Sequence, residues 1–332
     1  MRKDEIVLDV QGLNVDIETP RGTLHAVRDV SFQVYRGETL CLVGESGCGK
    51  SMTSLALMGL LPRIAARSTR QLTFLGEDLA RANKSRINNL RGNKMAMIFQ
   101  EPMTALNPAY TIGDQLTEHY MHHRQASSLQ AQRRAIELLE KVGIASAAKR
   151  LGQYPHQLSG GLRQRVMIAM ALMCGPELLI ADEPSTALDV TIQAQILRLL
   201  ADLQADLGIA MILITHDLGV VARIANRVAI MYAGEIMEEG PVKEIFAAPR
   251  HPYTQGLMSC IPLPGRTPPG GRLGTIPGVV PSLIGTLHGC AFRDRCEYAQ
   301  HPCQNDIPIH RSNDGQSWRC IRNDMELIAC PH

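Results

Sequence analysis

The run Gly44-Glu45-Ser46-Gly47-Cys48-Gly49-Lys50-Ser51 constrains this chain more than any other. It fits G-x-x-x-x-G-K-[ST] without a gap, with the apolar stretch Thr39–Val43 before it and a helix-like segment opening near Ser51 after it. The glycines let backbone N–H groups wrap a phosphate, because no Cβ blocks the approach. The following helix adds the positive end of its dipole to the same anion. Lys50 supplies a point charge to the outer phosphates, and the Ser51 hydroxyl is placed to ligate Mg²⁺. A glycine-rich turn with a chance lysine is the bland alternative, and the flanking strand and helix argue against it. Such a loop requires an open α/β sheet and a nucleoside triphosphate.

The rest of the first 245 residues agrees with that sheet. Short apolar runs at Thr39–Val43, Met95–Phe99, Leu178–Ala181, Ala210–Ile214 and Val228–Tyr232 read as buried strands of a largely parallel sheet. Ile192, Ile196, Leu199, Leu200 and Leu203 fall on one face of a helix. Leu178-Leu179-Ile180-Ala181 ends in Asp182-Glu183. A strand buried on both faces delivers such acids at its C-terminal edge, where open α/β sheets bind ligands. The first acid suits Mg²⁺ and the second a general base for the attacking water. Between about 102 and 165 strand signals are few and helical stretches such as Ser128–Val142 appear, which predicts a helical subdomain inserted into the core.

Composition removes other classes. The net charge is only +2, so the chain lacks a nucleic-acid footprint. No run offers the apolar length of a membrane span, and Val166–Ala181 is interrupted by Gly175, Pro176 and Glu177. The N-terminus Met1-Arg2-Lys3-Asp4-Glu5 does not read as a secretory signal. A cytosolic chain is expected, brought to a membrane by its partners.

Leu158-Ser159-Gly160-Gly161-Leu162 precedes a helix expected to be amphipathic, with Leu162, Val166, Ala169, Met170 and Met173 on one face. Ser159 is a good N-cap, and the glycines leave N–H groups open at the helix start. An ordinary capped helix is the bland reading. Beside the phosphate loop it reads as a second anion-binding helix end, serving a nucleotide held by another subunit.

These motifs, in this order, resemble those of ABC ATPases over residues 5–245. The resemblance makes Ser159, Gly160 and Gly161 the signature, and Gln100 in Ile98-Phe99-Gln100-Glu101-Pro102 the Q-loop glutamine that contacts Mg²⁺. Ser185-Thr186-Ala187-Leu188-Asp189 resembles the D-loop, with Asp189 at the dimer interface, and His216 in Ile214-Thr215-His216-Asp217 the switch histidine that senses the γ-phosphate. It implies a RecA-like P-loop core spanning 1–250 in which Gly44 to Ser51, Asp182, Ser159 to Gly161 and Asp189 bind ATP. Ser51, Gln100 and Asp182 then hold Mg²⁺, and Glu183, His216 and Gln100 carry catalysis. Two departures stand out: Leu162 replaces the usual glutamine, and no adenine-stacking aromatic is evident near Leu13–Pro20, where Ile17 sits.

From 251 to 332 the texture changes to a loop-rich extension, with ten of the nineteen prolines from Pro252 onward. Five of the nine cysteines lie in the final 43 residues: Cys290, Cys296, Cys303, Cys320 and Cys330. The first four form C-x5-C-x6-C-x16-C, wider than zinc knuckles favour and more comfortable for an iron–sulfur cluster; zinc and metal-free buried thiols remain alternatives. Pro249-Arg250-His251-Pro252-Tyr253-Thr254, with Gly289-Cys290 and Arg295-Cys296, resembles the C-terminal region of oligopeptide and dipeptide importer ATPases. That resemblance implies a [4Fe-4S] site on Cys290, Cys296, Cys303 and Cys320, and leaves Cys330 outside that set.

The expected function is thus that of the ATP-hydrolysing subunit of a peptide importer at the cytoplasmic face of the inner membrane. A second ATPase subunit, a paralogue, two transmembrane permeases and an extracytoplasmic substrate-binding protein are the implied partners. Nickel, glycoside or another solute is the alternative cargo. A DNA-repair ABC ATPase is disfavoured, since no long insertion separates Lys50 from Ser159.

Overall fold

The computed structural model describes residues 5–100, 105–185, 188–261, 274–285 and 288–322. Glu101–Thr104, Thr186, Ala187 and Cys330 fall outside the described residues. The chain forms two compact units, neither a continuous stretch of sequence. One comprises Gln33–Thr39 and Thr73–Ile214 with the residues up to Leu8; the other comprises Asp9–Phe32, Leu40–Leu72 and the chain from Thr215 onward.

In the first unit β7 (Met95–Ile98), β8 (Leu178–Asp182) and β9 (Ala210–Thr215) lie parallel, with Met95 opposite Leu178 and Leu178 opposite Ala210. Every residue of β8 and β9 is buried, as an unbroken apolar run flanked on both faces requires. The helices Ile112–Arg124, Ser128–Lys141 and Gly160–Leu172 pack on one another in the same unit. The first two open with capping boxes, Thr111 with Asp114 and Ser127 with Gln130.

The second unit places β3 (Thr39–Val43) beside β10 (Arg227–Tyr232) in parallel, with Leu40 opposite Arg227. From β10 the ladder turns antiparallel through β11 (Glu235–Pro241) and β13 (Ser317–Arg319) to β12 (Ile309–Arg311). A separate antiparallel layer contains β1 (Ile6–Thr19), β2 (Gly22–Tyr35), β5 (Gln71–Phe74) and β6 (Glu77–Asp78), with β4 (Ala65–Ser68) paired to β1.

The strands expected from the apolar runs do pair in parallel, β7 with β8, β8 with β9 and β3 with β10, and antiparallel strands are added beyond β10. Two expectations need correcting. The extension is not merely loops, because β12 and β13 continue the ladder and bury Trp318, 5% exposed. The helix Gly160–Leu172 is not amphipathic: Gln164, Val166, Met167, Ile168, Ala169, Ala171 and Leu172 are all buried, so it is enclosed on most sides while Leu162 and Met170 are only half-buried. Among the described residues no helix is long and apolar enough to cross a membrane.

Candidate functional site

The phosphate loop leaves the buried end of β3 and enters the helix Lys50–Met58, as the motif demands. Its glycines are required by contact as well as by conformation. A Cβ on Gly44 would stand 2.1 Å from the Met231 carbonyl, and one on Gly49, whose φ is +102°, 2.4 Å from the Ala26 carbonyl. The loop is pinned from below where Gly234 N donates to Cys48 O at 3.1 Å and Arg28 N donates to Gly234 O at 2.8 Å. Lys50 is 5% exposed and its Nζ donates to Gly44 O at 2.8 Å and Glu45 O at 3.0 Å, which folds the cation back over the loop's own carbonyls. Cys48 turns its thiol inward, 1% exposed, and burial pushes that thiol's pKa up. Only its backbone is available to a phosphate. His216 follows β9 on an exposed turn, beside Asp217, whose carboxylate caps the helix Leu218–Ile224 by accepting from Gly219 N at 2.7 Å and Val220 N at 3.3 Å.

The first unit carries the acids. Asp182 ends β8 and is 5% exposed. Glu183 takes φ = 42°, a left-handed conformation that costs a residue with a Cβ about 1 kcal/mol. Its N–H donates to Ile214 O at 3.0 Å, and its carboxylate accepts from Gln100 Nε2 at 3.2 Å. The glutamine and the expected general base are therefore in direct contact. Ser159 caps its helix as expected, accepting from Leu162 N at 3.4 Å. The cap uses the backbone of Leu162, so the departure from glutamine leaves it intact. Asp189 caps the helix Val190–Leu207, accepting from Ile192 N at 3.0 Å.

The four cysteines come together. Cys290, Cys296, Cys303 and Cys320 line one cavity with His251, Arg293, Tyr298 and Arg322. Cys290 N donates to Cys303 O at 2.8 Å, closing the loop between them. Burial pushes the Cys290 thiol up to about 12, and the charges of Cys320, Cys303 and Cys296 add to that rise. Among the described residues, however, no three His, Cys, Asp or Glu side chains converge tightly enough to grip a metal ion. A zinc ion, with Zn–S near ~2.3 Å, needs that convergence and is not supported. The same observation leaves the [4Fe-4S] site expected on these four cysteines without support beyond the cavity they share.

Sequence reasoning missed the second layer around these sites. Tyr253 Oη accepts from Glu45 N at 3.1 Å, and Arg295 holds the Glu45 carboxylate. His251, wholly buried, accepts from Tyr253 N at 3.0 Å through Nδ1, and burial drops its pKa to about 3. A buried Glu238 accepts from the N–H groups of Arg250 and His251, at 2.7 and 2.9 Å. The signal for Tyr253 and His251 was their place in the His-Pro-Tyr run; Arg295 had none beyond adjacency to Cys296.

A strand-borne phosphate loop, a strand ending in Asp-Glu and a serine-capped glycine helix define an ABC-type ATP-binding cassette. The family described as "ABC transporter" matches residues 27–186, and "Oligopeptide/dipeptide transporter, C-terminal region" matches 237–303. A putative peptide import ATP-binding protein of Brucella melitensis is 51% identical over 95% of this chain and 97% of its own length. The dipeptide transport ATP-binding protein DppD of Bacillus subtilis is 49% identical over 98% and 94%, and the oligopeptide transport ATP-binding protein OppD of Salmonella typhimurium 45% over 97% and 96%. Among solved structures, the cassette MJ0796 in a dimeric post-hydrolysis state bound to ADP and Pi superposes with a TM-score of 0.64. It is 24% identical and covers 71% of this chain and 98% of its own. The cbiO1 protein of Clostridium perfringens gives 0.62 at 27%, covering 74% and 92%. The chain belongs to the ABC transporter ATP-binding proteins, in the branch that carries the oligopeptide/dipeptide C-terminal region.

Proposed function

We propose that this chain is the ATP-hydrolysing subunit of an ABC importer of di- and oligopeptides, working at the cytoplasmic face of the membrane its partners span. The observation that carries this reading is one chain holding both a complete phosphate loop and a cysteine-lined C-terminal cavity, aligned almost end to end with DppD and OppD.

In this reading the amides from Gly44 to Ser51 and the Lys50 ammonium hold the ATP phosphates. Ser51, Gln100 and Asp182 hold Mg²⁺, which supplies charge neutralisation to the β- and γ-phosphates when bound. Glu183 takes the proton of the attacking water, held in reach by Gln100, and His216 donates to the γ-phosphate. Ser159 to Gly161 offer open helix-terminal N–H groups to the nucleotide of a second, paralogous ATPase chain, with Asp189 at that interface. Because ATP favours the closed pair, binding drives the two permeases and hydrolysis resets them. The helical segment of about 102–165 serves as their dock, and a substrate-binding protein outside the membrane delivers the peptide. Cys290, Cys296, Cys303 and Cys320 hold a [4Fe-4S] cluster.

The test is purification of the tagged chain with its membrane partners and reconstitution in vesicles. Peptide uptake driven by ATP is expected, with Glu183→Gln retaining ATP binding but losing turnover. Uptake of nickel or a glycoside instead of peptide overturns the cargo; iron and acid-labile sulfide absent from anaerobic protein overturn the cluster.

A further inference from the structure

The loop that carries Cys290 and Cys296 reaches the phosphate loop through one buried cation. Arg295 immediately precedes Cys296, and its side chain is 6% exposed. Its Nη1 donates to both carboxylate oxygens of Glu45, at 3.0 Å each, and to Tyr232 Oη at 3.3 Å. Nε donates to Pro277 O at 2.8 Å, and Nη2 to Ile276 O at 3.1 Å. The guanidinium lies 5.6 Å from the Tyr232 ring centre and 5.9 Å from that of Phe292. All three nitrogens of the fork are thus engaged.

Glu45 is held equally fully. Its N–H donates to Tyr253 Oη, its carbonyl accepts from Lys50 Nζ, and its carboxylate takes Arg295. Tyr253 is itself buried against Tyr232 and Phe292, with ring centres 4.7 and 5.3 Å away. The second residue of the phosphate loop is thus fixed at three points, two of them supplied by residues from the C-terminal region. The pair is buried on the Arg295 side only, at 6% exposure against 28% for Glu45, so removing Arg295 leaves the Glu45 carboxylate able to turn to solvent and releases one of the three points.

We infer that Arg295 is a positioning residue for the nucleotide site: through Glu45, and together with the Tyr253 hydroxyl, the cysteine loop holds the phosphate loop in its phosphate-wrapping form. This rests on the reading that Gly44 to Ser51 bind ATP. Linkage makes it reciprocal: if an ordered cysteine loop raises ATP affinity, ATP orders the cysteine loop by the same factor.

The experiment uses the full-length chain and a fluorescent ATP analogue. Arg295→Met is expected to raise the analogue's Kd about tenfold, the scale of ~1.4 kcal/mol. Arg295→Lys should fall between, because a lysine cannot fork to Glu45 and the Pro277 and Ile276 carbonyls together. Glu45→Gln combined with Arg295→Met should be no weaker than the worse single variant. A non-hydrolysable ATP analogue should slow backbone hydrogen exchange across residues 289–296 in the wild type and not in Arg295→Met. Wild-type affinity in Arg295→Met overturns the inference, as does a double variant showing the full product of both single losses, or hydrogen exchange across residues 289–296 that is indifferent to nucleotide. Lys50→Ala is the control. If it binds nucleotide normally, the nucleotide-site reading falls and the inference with it; if it is dead while Arg295→Met binds normally, only the inference falls. Should Arg295→Met fail to fold, Arg295→Lys and Glu45→Gln decide by the same criteria.

Discussion

The phosphate loop and the cysteine-lined cavity lie in the same compact unit, yet they are built by opposite means. The loop is made of backbone: its shape comes from glycines pressed against the Met231 and Ala26 carbonyls and from a strand every residue of which is buried. The cavity is made of side chains, with four thiols brought from separate short turns beside His251, which Glu238 and Tyr253 hold through its N–H and Nδ1. A backbone-built site is specified by what is missing, namely Cβ atoms, and a side-chain-built site by what converges. The first tolerates almost no substitution at its glycines but several at its variable positions. The second depends on many contacts, each worth less.

The largest effect should come from breaking the first kind of site at its tightest point. Gly44→Ala forces a Cβ into a backbone carbonyl that cannot swing away, and we expect about 4 kcal/mol of destabilisation with loss of ATP binding, read by chemical denaturation and nucleotide titration. Wild-type affinity in this variant would remove the contrast. Next, Trp318→Ala should cost about 3 kcal/mol by leaving a large cavity under β13 and β11, seen as faster hydrogen exchange through Ser317–Arg319.

A third test is pH. Burial raises Glu238 from its ordinary 4.5 to about 7, and lowers His251 from 6.5 to about 3. Glu238 therefore contributes stability fully present below pH 4.5 and lost as pH rises through 7. His251 contributes stability present above pH 6.5 and lost as pH falls through 3. Between about pH 4.5 and 6.5 the two slopes oppose each other. Glu238→Gln should unmask the His251 limb, giving a loss approaching ~1.4 kcal/mol per pH unit on acidification below 6.5, measured from urea midpoints. A flat profile in that variant would show that His251 is not the buried base described. The smallest effect should come where the two regions meet: Phe292→Leu loses the edge-on contact with Tyr232, at 5.3 Å and 89°, worth about 1 kcal/mol. A calorimetric melt would detect it.

Legibility in the sequence followed the same division. β3, β8 and β9 lay within a residue of their apolar runs, because full burial makes a strand continuous and easily seen. β1 and β2 were not marked as strands. Their alternation is broken by backbone turns at Gly12 (φ 60°) and Asp29 (φ 46°), which support each other's strand through Gly12 N to Ser31 Oγ and Asp29 N to Asn14 Oδ1, each 2.9 Å. A left-handed residue inside a strand interrupts the alternation, so a strict period of two fails there. In the site, Lys50, Asp182, Glu183 and Ser159 were readable as motif positions. The Gln100–Glu183 bond and the Arg295–Glu45 pair were not, since nothing local in a sequence announces a partner 83 or 250 positions away. The cysteine spacing announced convergence without its geometry, because loops leave no periodic trace.

The left-handed backbone at Glu183 has a consequence for how this position would behave under selection. A library screened only for thermal tolerance should enrich glycine there, since glycine escapes the penalty of about 1 kcal/mol that the glutamate side chain brings. A library screened for transport should discard every such clone. If Glu183 is the general base proposed above, folding and turnover pull this one site toward different residues.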